Sequence, residues 1–172
     1  TDRIEALAHG SYYRFHPNWV AAVNDKFPCV ASLDLHPDEF VVFLDADTRV
    51  YKDVSDEDFH GELVGWQHFG DQTWMRQTKG FDRKTTSSCH VPVNTPHPQM
   101  WFMGCIWGGR FGRVKRMLRE LTAAQAKNRL IGHEPGVNDE SYLNWYFHYN
   151  PPTRVCRWPE GYPFIVSDKG GA

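Results

Sequence analysis

Phe40-Val41-Val42-Phe43-Leu44-Asp45-Ala46-Asp47 is the stretch on which the reading of the fold turns. Five apolar residues in a row, without polar alternation, predict a strand buried on both faces, as in α/β sheets. Pro37-Asp38-Glu39 punctuates the chain before the run, and Asp45 stops it. Two carboxylates at i and i+2 then stand at the carboxyl end of a strand, where open α/β sheets bind their ligands. Alone, Asp-x-Asp is a weak pattern, equally at home in a solvated turn. Directly after a buried strand it is a candidate site for Mn²⁺ or Mg²⁺, ions that take hard oxygen ligands and keep positions open for substrate phosphates.

Upstream, Phe15, Trp19, Val20 and Val23 recur at helical spacing and predict a helix over 14–27, with Pro17 in its first turn. Downstream, a short strand is expected at Glu62 to Trp66, then a mobile loop from Gln72 to Ser88, which is polar and aperiodic. Met100 to Trp107 is strand-like, and Gly108-Gly109 reads as the chain reversal that ends it. Val114, Met117, Leu118, Leu121 and Ala124 then trace one apolar helical face, opposite Arg113, Lys115, Arg116, Arg119 and Glu120. A last helix is expected after Gly136, capped by Asn138, carrying the stripe Tyr142, Trp145, Tyr146, Tyr149 and closed by Pro151-Pro152. Strands alternating with helices make the class α/β.

The chain has 172 residues, 41% of them apolar, which suits one domain with a sizeable core. A net charge of −2 gives no global basic field, so nucleic acid is not an expected partner and any phosphate must be held locally. Cys29, Cys89, Cys105 and Cys156 lack metal-site spacing and read as buried free thiols, in keeping with a reducing compartment. No run approaches the roughly twenty apolar residues of a membrane span. The first residue is Thr rather than Met, which fits a piece of a longer polypeptide and leaves localisation open.

A second constellation is Asn138-Asp139-Glu140-Ser141, two acids in the opening turn of a helix. Acids there complement the helix dipole, and that explanation suffices for the pair in isolation. Functionally, Glu140 can act as a positioned carboxylate that stabilises cationic charge at an anomeric carbon or attacks it, while Asp139 binds sugar hydroxyls.

Taken in order, these pieces resemble glycosyltransferase family 6, which includes the blood-group A and B transferases and α-1,3-galactosyltransferases. The resemblance runs from Phe40 to about Phe164. It is carried by Phe43-Leu44-Asp45-Ala46-Asp47, Gly65-Trp66-Gln67-His68, Phe102-Met103-Gly104-Cys105-Ile106-Trp107-Gly108-Gly109, Asp139 to Asn144 and Pro152-Thr153-Arg154-Val155, with the basic helix 113–128 between them. Their common order and separations are far more specific than any one of them.

The resemblance implies a GT-A-like (Rossmann-like) mixed sheet flanked by helices, in a single catalytic domain over 1–172. It implies retaining transfer of galactose or N-acetylgalactosamine from a UDP-sugar to a glycan hydroxyl in α-1,3 linkage, with Mn²⁺ or Mg²⁺. Metal ligation falls on Asp45 and Asp47, catalysis on Glu140 and acceptor binding on His68. Donor binding falls on Asp45, Asp139, Met103, Cys105 and, more loosely, Lys169, with Arg14 a weaker candidate for the diphosphate. Met103-Gly104-Cys105 is an unusual lining for a pocket that small or His residues usually shape. A cytoplasmic location follows for a microbial or viral chain, and the Golgi lumen for a eukaryotic, membrane-anchored relative.

The nucleotide-binding half of such a domain needs about two βαβ units, at least ~60 residues. Only residues 1–44 precede Asp45. Part of that half is therefore expected to be reduced or to lie outside this chain. The competing readings are a GT-A transferase of another family, and a carbohydrate-binding module with Trp66, Trp74, Trp101 and Trp107 as stacking platforms.

Overall fold

A computed structural model of the chain describes residues 19–45, 48–50, 60–68, 81–93, 100–157 and 164–165. Arg14, Asp47, Trp74 and Lys169, the first turn expected around Pro17 and most of the loop expected from Gln72 lie outside these residues.

Helix α1 spans Trp19–Ala31, β1 Phe40–Leu44, β2 Arg49–Val50, β3 Leu63–Gln67 and β4 Phe102–Arg110. Helix α2 follows at Phe111–Leu130, α3 at Asn138–Tyr149, β5 at Arg154–Cys156 and β6 at Phe164–Ile165. Four strands form one mixed sheet in the order β1-β4-β3-β5, antiparallel except for the β3/β5 pair. Strands β2 and β6 pair separately. This mixed α/β arrangement agrees with the expected GT-A-like fold.

Residue parity along the strands divides the core in two. One cluster joins Val41, Leu63 and Trp107 of the sheet to Phe27 of α1, to Val114, Met117, Leu118 and Leu121 of α2, and to Leu143 and Phe147 of α3. Each such side chain contributes about 1.5–3 kcal/mol on burial, so this face holds the three helices. The opposite face carries Val64, Trp66, Met103, Ile106 and Cys156, with Phe40, Val42 and Leu44 against them. Strand β1 matches the expected residues, but Val41 is the one buried residue among its five, the other four being partly exposed. Among the described residues its one strand neighbour is β4.

The expected reversal at Gly108-Gly109 is not where the chain turns. Both glycines lie inside β4, squeezed between flanking strands. A Cβ on Gly108 would sit 2.4 Å from the Val41 carbonyl oxygen, and one on Gly109, whose φ is +139°, 2.3 Å from that of Glu62. The backbone can pass only without side chains. Helix α1 continues through Pro28 to Ala31 rather than stopping at Phe27. Asn138 does not cap α3: it is the first helical residue, with φ +43°, while the Ser141 hydroxyl accepts the Val137 N–H at 3.3 Å.

The part of the expected loop that is described, 81–88, is held down. The Ser88 hydroxyl donates to the Ala124 carbonyl at 2.6 Å, the Ser88 N–H donates to Asn128 Oδ1 at 2.8 Å, and His133 pairs with Asp82 at 2.5 Å. None of the four cysteines is in a disulfide; Cys89 and Cys156 are buried and Cys29 and Cys105 partly so. Among the described residues no helix is long and apolar enough to cross a membrane.

Candidate active site

Asp45 leaves β1 with its N–H donating to the Cys105 carbonyl at 3.0 Å, so the end of β1 is pinned to the middle of β4. There the β3/β4 register breaks: Gly65 faces Trp107 but Gln67 faces Phe102, and the intervening stretch of β4 bulges. Such bulges re-aim side chains and are common beside functional sites. This one carries Met103-Gly104-Cys105.

Helix α3 brings Asp139 and Glu140 against the bulge, and Gly104 is what lets it approach. A Cβ at that position would lie 2.9 Å from Asp139 Oδ2 and 3.1 Å from Glu140 Cβ. The docking is fixed by Asn144, whose amide accepts the Phe102 N–H at 2.7 Å and donates to the Phe102 carbonyl at 2.8 Å, as a neighbouring strand would. A third bond runs to the Glu140 carbonyl at 2.9 Å.

Both oxygens of Glu140 are engaged. The Gly104 N–H donates to Oε2 at 2.9 Å, and the Trp101 indole N–H donates to Oε1. Burial pushes the Glu140 carboxyl up to about 7, against the pull of those two donors. At neutral pH this acid is therefore poised between its two forms, as expected of functional carboxyls.

The centre of the site is a residue that the motif reading missed. Lys26, from α1, places its ammonium 2.5 Å from Asp139 Oδ2 and 3.4 Å from Asp45 Oδ1, and donates to the Gly104 carbonyl at 3.1 Å. Burial opposes its charge, but the two carboxylates outweigh that and hold the ammonium above the ordinary lysine value. Asp45 and Asp139, far apart in sequence, thus share one buried cation. A signal existed: Trp19, Val23, Lys26 and Val30 follow helical spacing, so a lone cation sits on an otherwise apolar stripe.

The other candidates occupy distinct positions. His68 follows β3, its N–H donating to the Trp101 carbonyl at 2.8 Å, and burial lowers its imidazole below the usual range. Met103 is 2% exposed and packs on the opposite face of the sheet with Trp66 and Ile106. Cys105 lies against that cluster, its thiol pushed up to about 12 by burial and then by the Asp45 and Glu140 charges, which makes it a poor nucleophile. Trp66, Trp101 and Trp107 are buried and offer no stacking platform. Among the described residues no group of three or more His, Cys, Asp or Glu could hold a metal by itself.

The family model described as Glycosyltransferase family 6 matches residues 29–162. The O-antigen biosynthesis glycosyltransferase WbnI of Escherichia coli is 27% identical over 135 residues, covering 74% of this chain and 56% of that protein. The histo-blood group ABO system transferase 2 of Rattus norvegicus is 24% identical over 171 residues, covering 95% of this chain and 45% of that protein. The chain thus spans about half the length of the curated relatives it matches. With the family match extending from the end of α1 beyond β5, and so across both carboxylate clusters, the chain belongs to glycosyltransferase family 6.

Proposed function

We propose that the chain carries the catalytic end of a retaining transferase that moves galactose or N-acetylgalactosamine from a UDP-sugar to a glycan hydroxyl in α-1,3 linkage. The observation behind this reading is the convergence of Asp45, Asp139 and Glu140 around Lys26 and Gly104, with Glu140 oriented through both oxygens. The E. coli relative, named for O-antigen biosynthesis, makes a surface oligosaccharide a reasonable acceptor class.

Asp45 fits one ligand position for Mn²⁺ or Mg²⁺: its carboxylate ends a strand and is 34% exposed, against 9% for Lys26 and 10% for Asp139. One described carboxylate suits an ion that relies on Asp47, substrate phosphate and water for its other ligands. A bound ion would neutralise charge on the departing diphosphate. Glu140, ionised, stabilises the positive charge that develops at the anomeric carbon, or attacks that carbon. The acceptor hydroxyl attacks from the leaving-group side and passes its proton to the departing phosphate oxygen. Asp139 orients donor-sugar hydroxyls with its remaining oxygen, while His68 lines the acceptor side. Met103 and Cys105 contribute through the shape of the bulge, and Lys169 is assigned to the diphosphate. Orientation and fixed charges supply most of the rate.

Titration calorimetry with UDP, with and without Mn²⁺, tests the reading, together with anomeric NMR of the transfer product. Metal-dependent UDP binding and an α-linked product support it. Binding of glycan alone, indifferent to both UDP and Mn²⁺, would overturn it.

A further inference from the structure

Glu140 is held by two donors of different kinds, and one of them is a side chain. The Gly104 N–H belongs to the backbone and is fixed by the strand. The Trp101 indole belongs to the residue immediately before β4, and its direction depends on what packs around it. That packing is complete: Trp101 is 0% exposed, set edge-on to Phe81 with ring centroids 5.4 Å apart at 88°, in a small cluster with Val91, against which Val137 and Trp145 pack. On its backbone, Trp101 accepts the His68 N–H, and the next residue, Phe102, is clamped by Asn144. Five elements or segments therefore determine where one N–H points.

We propose that Trp101 is a positioning residue of the site: its indole N–H, acting with the Gly104 amide, fixes the carboxylate plane of Glu140 and favours its ionised form. This rests on Glu140 being the catalytic carboxylate, but the hydrogen bond itself can be tested apart from catalysis. Hydrogen bonds to a carboxylate stabilise the charged form, and a buried charge gains more from each donor than an exposed one. Phe81 and Val91 give segment 81–93 a role in the site through the Trp101 ring that they pack against. Among the described residues, the charged or titratable groups that act on Glu140 or feel its charge include Asp139 on the same helix, Lys26 of α1 and Cys105 of β4.

The direct experiment follows the Trp101 indole N–H resonance by NMR through a pH titration. It should shift as Glu140 titrates and cease to do so in Glu140→Gln. A Trp101 resonance indifferent to pH, or unchanged in its titration by Glu140→Gln, overturns the proposal whatever the catalytic result. The kinetic arm compares Trp101→Phe with replacement of Trp101 by 3-benzothienylalanine, which keeps the ring volume and removes the donor. Either should lower kcat about tenfold or more, as expected for a lost hydrogen bond to a charged group. The KM for UDP-sugar should change little, and the acid limb of the pH profile should move to higher pH. If Glu140→Gln abolishes transfer while both Trp101 replacements keep wild-type kcat and pH profile, the positioning role fails and the catalytic reading stands. If Glu140→Gln transfers normally, the catalytic reading fails, and the indole titration alone decides whether Trp101 holds that carboxylate.

Discussion

The ammonium of Lys26 lies 2.5 Å from Oδ2 of Asp139, tying the first described helix to the opening turn of the third and leaving Asp45 3.4 Å away on the same cation. The two acids read from the sequence as separate constellations are thereby one electrostatic unit. Each carboxylate is tolerable in its place because the lysine is there.

Replacing Lys26 by Met keeps the length of the side chain and removes its charge. Breaking a buried pair from one side costs roughly 3–5 kcal/mol, because the partner is left charged and unpaired. Urea unfolding of Lys26→Met at pH 7 should show a loss of that order. A midpoint within experimental scatter of wild type would show that the contact is energetically idle.

Gly104→Ala puts a methyl group 2.9 Å from an oxygen that Lys26 already holds, so the neighbour cannot swing away freely. Relief requires α3 to move off the bulge or the strand to shift, and such overpacking costs about 1–3 kcal/mol. Transfer should fall further than stability, since the same amide orients Glu140. Thermal melting beside single-turnover rates would separate the two effects.

Asn144 replaces a missing strand partner for Phe102. Asn144→Leu leaves a buried N–H and carbonyl without their bonds, at about 1–3 kcal/mol for each group. Amide exchange of Phe102 should be slow in the parent protein and accelerate by the corresponding factor in the variant. Exchange at the parent rate would mean that the amide clamp contributes nothing.

The pH dependence of stability has a definite sign at Glu140. Its folded carboxyl titrates near 7, above its ordinary value of 4.5, because burial disfavours the charge. Between those values the unfolded chain releases the proton while the folded chain keeps it. Stability attributable to this group is present below about pH 4.5 and is lost as pH rises toward 7. Urea midpoints of wild type and Glu140→Gln across that window should diverge accordingly, with the Gln variant gaining relative stability toward neutral pH. Catalysis by the carboxylate runs the other way and should decline as pH falls below about 7. Parallel midpoints for the two proteins would remove Glu140 as the source.

Local sequence was enough for elements whose signal is periodicity or composition. The run Phe40 to Leu44 is the strand observed, because an uninterrupted apolar run flanked by Pro37 and Asp45 has few alternatives. The apolar stripe from Val114 to Ala124 lies inside the observed α2 for a similar reason. The order of short motifs was sufficient for the family, and it brought Asp45, Asp139 and Glu140 forward as candidates.

What sequence could not supply depends on contacts between distant residues. Gly108-Gly109 has the composition of a turn, and only the flanking carbonyls of Val41 and Glu62 explain glycines in mid-strand. Trp101 and Asn144 look like ordinary core and helix residues until β4 and α3 meet. Lys26 is the clearest case: on its own helix it interrupts an apolar stripe, and in the folded chain two carboxylates from other elements make its burial favourable. Periodicity along a chain carries the hydrophobic effect, which sums over local surface. A buried charge is decided by its partners, and tertiary structure alone brings them together.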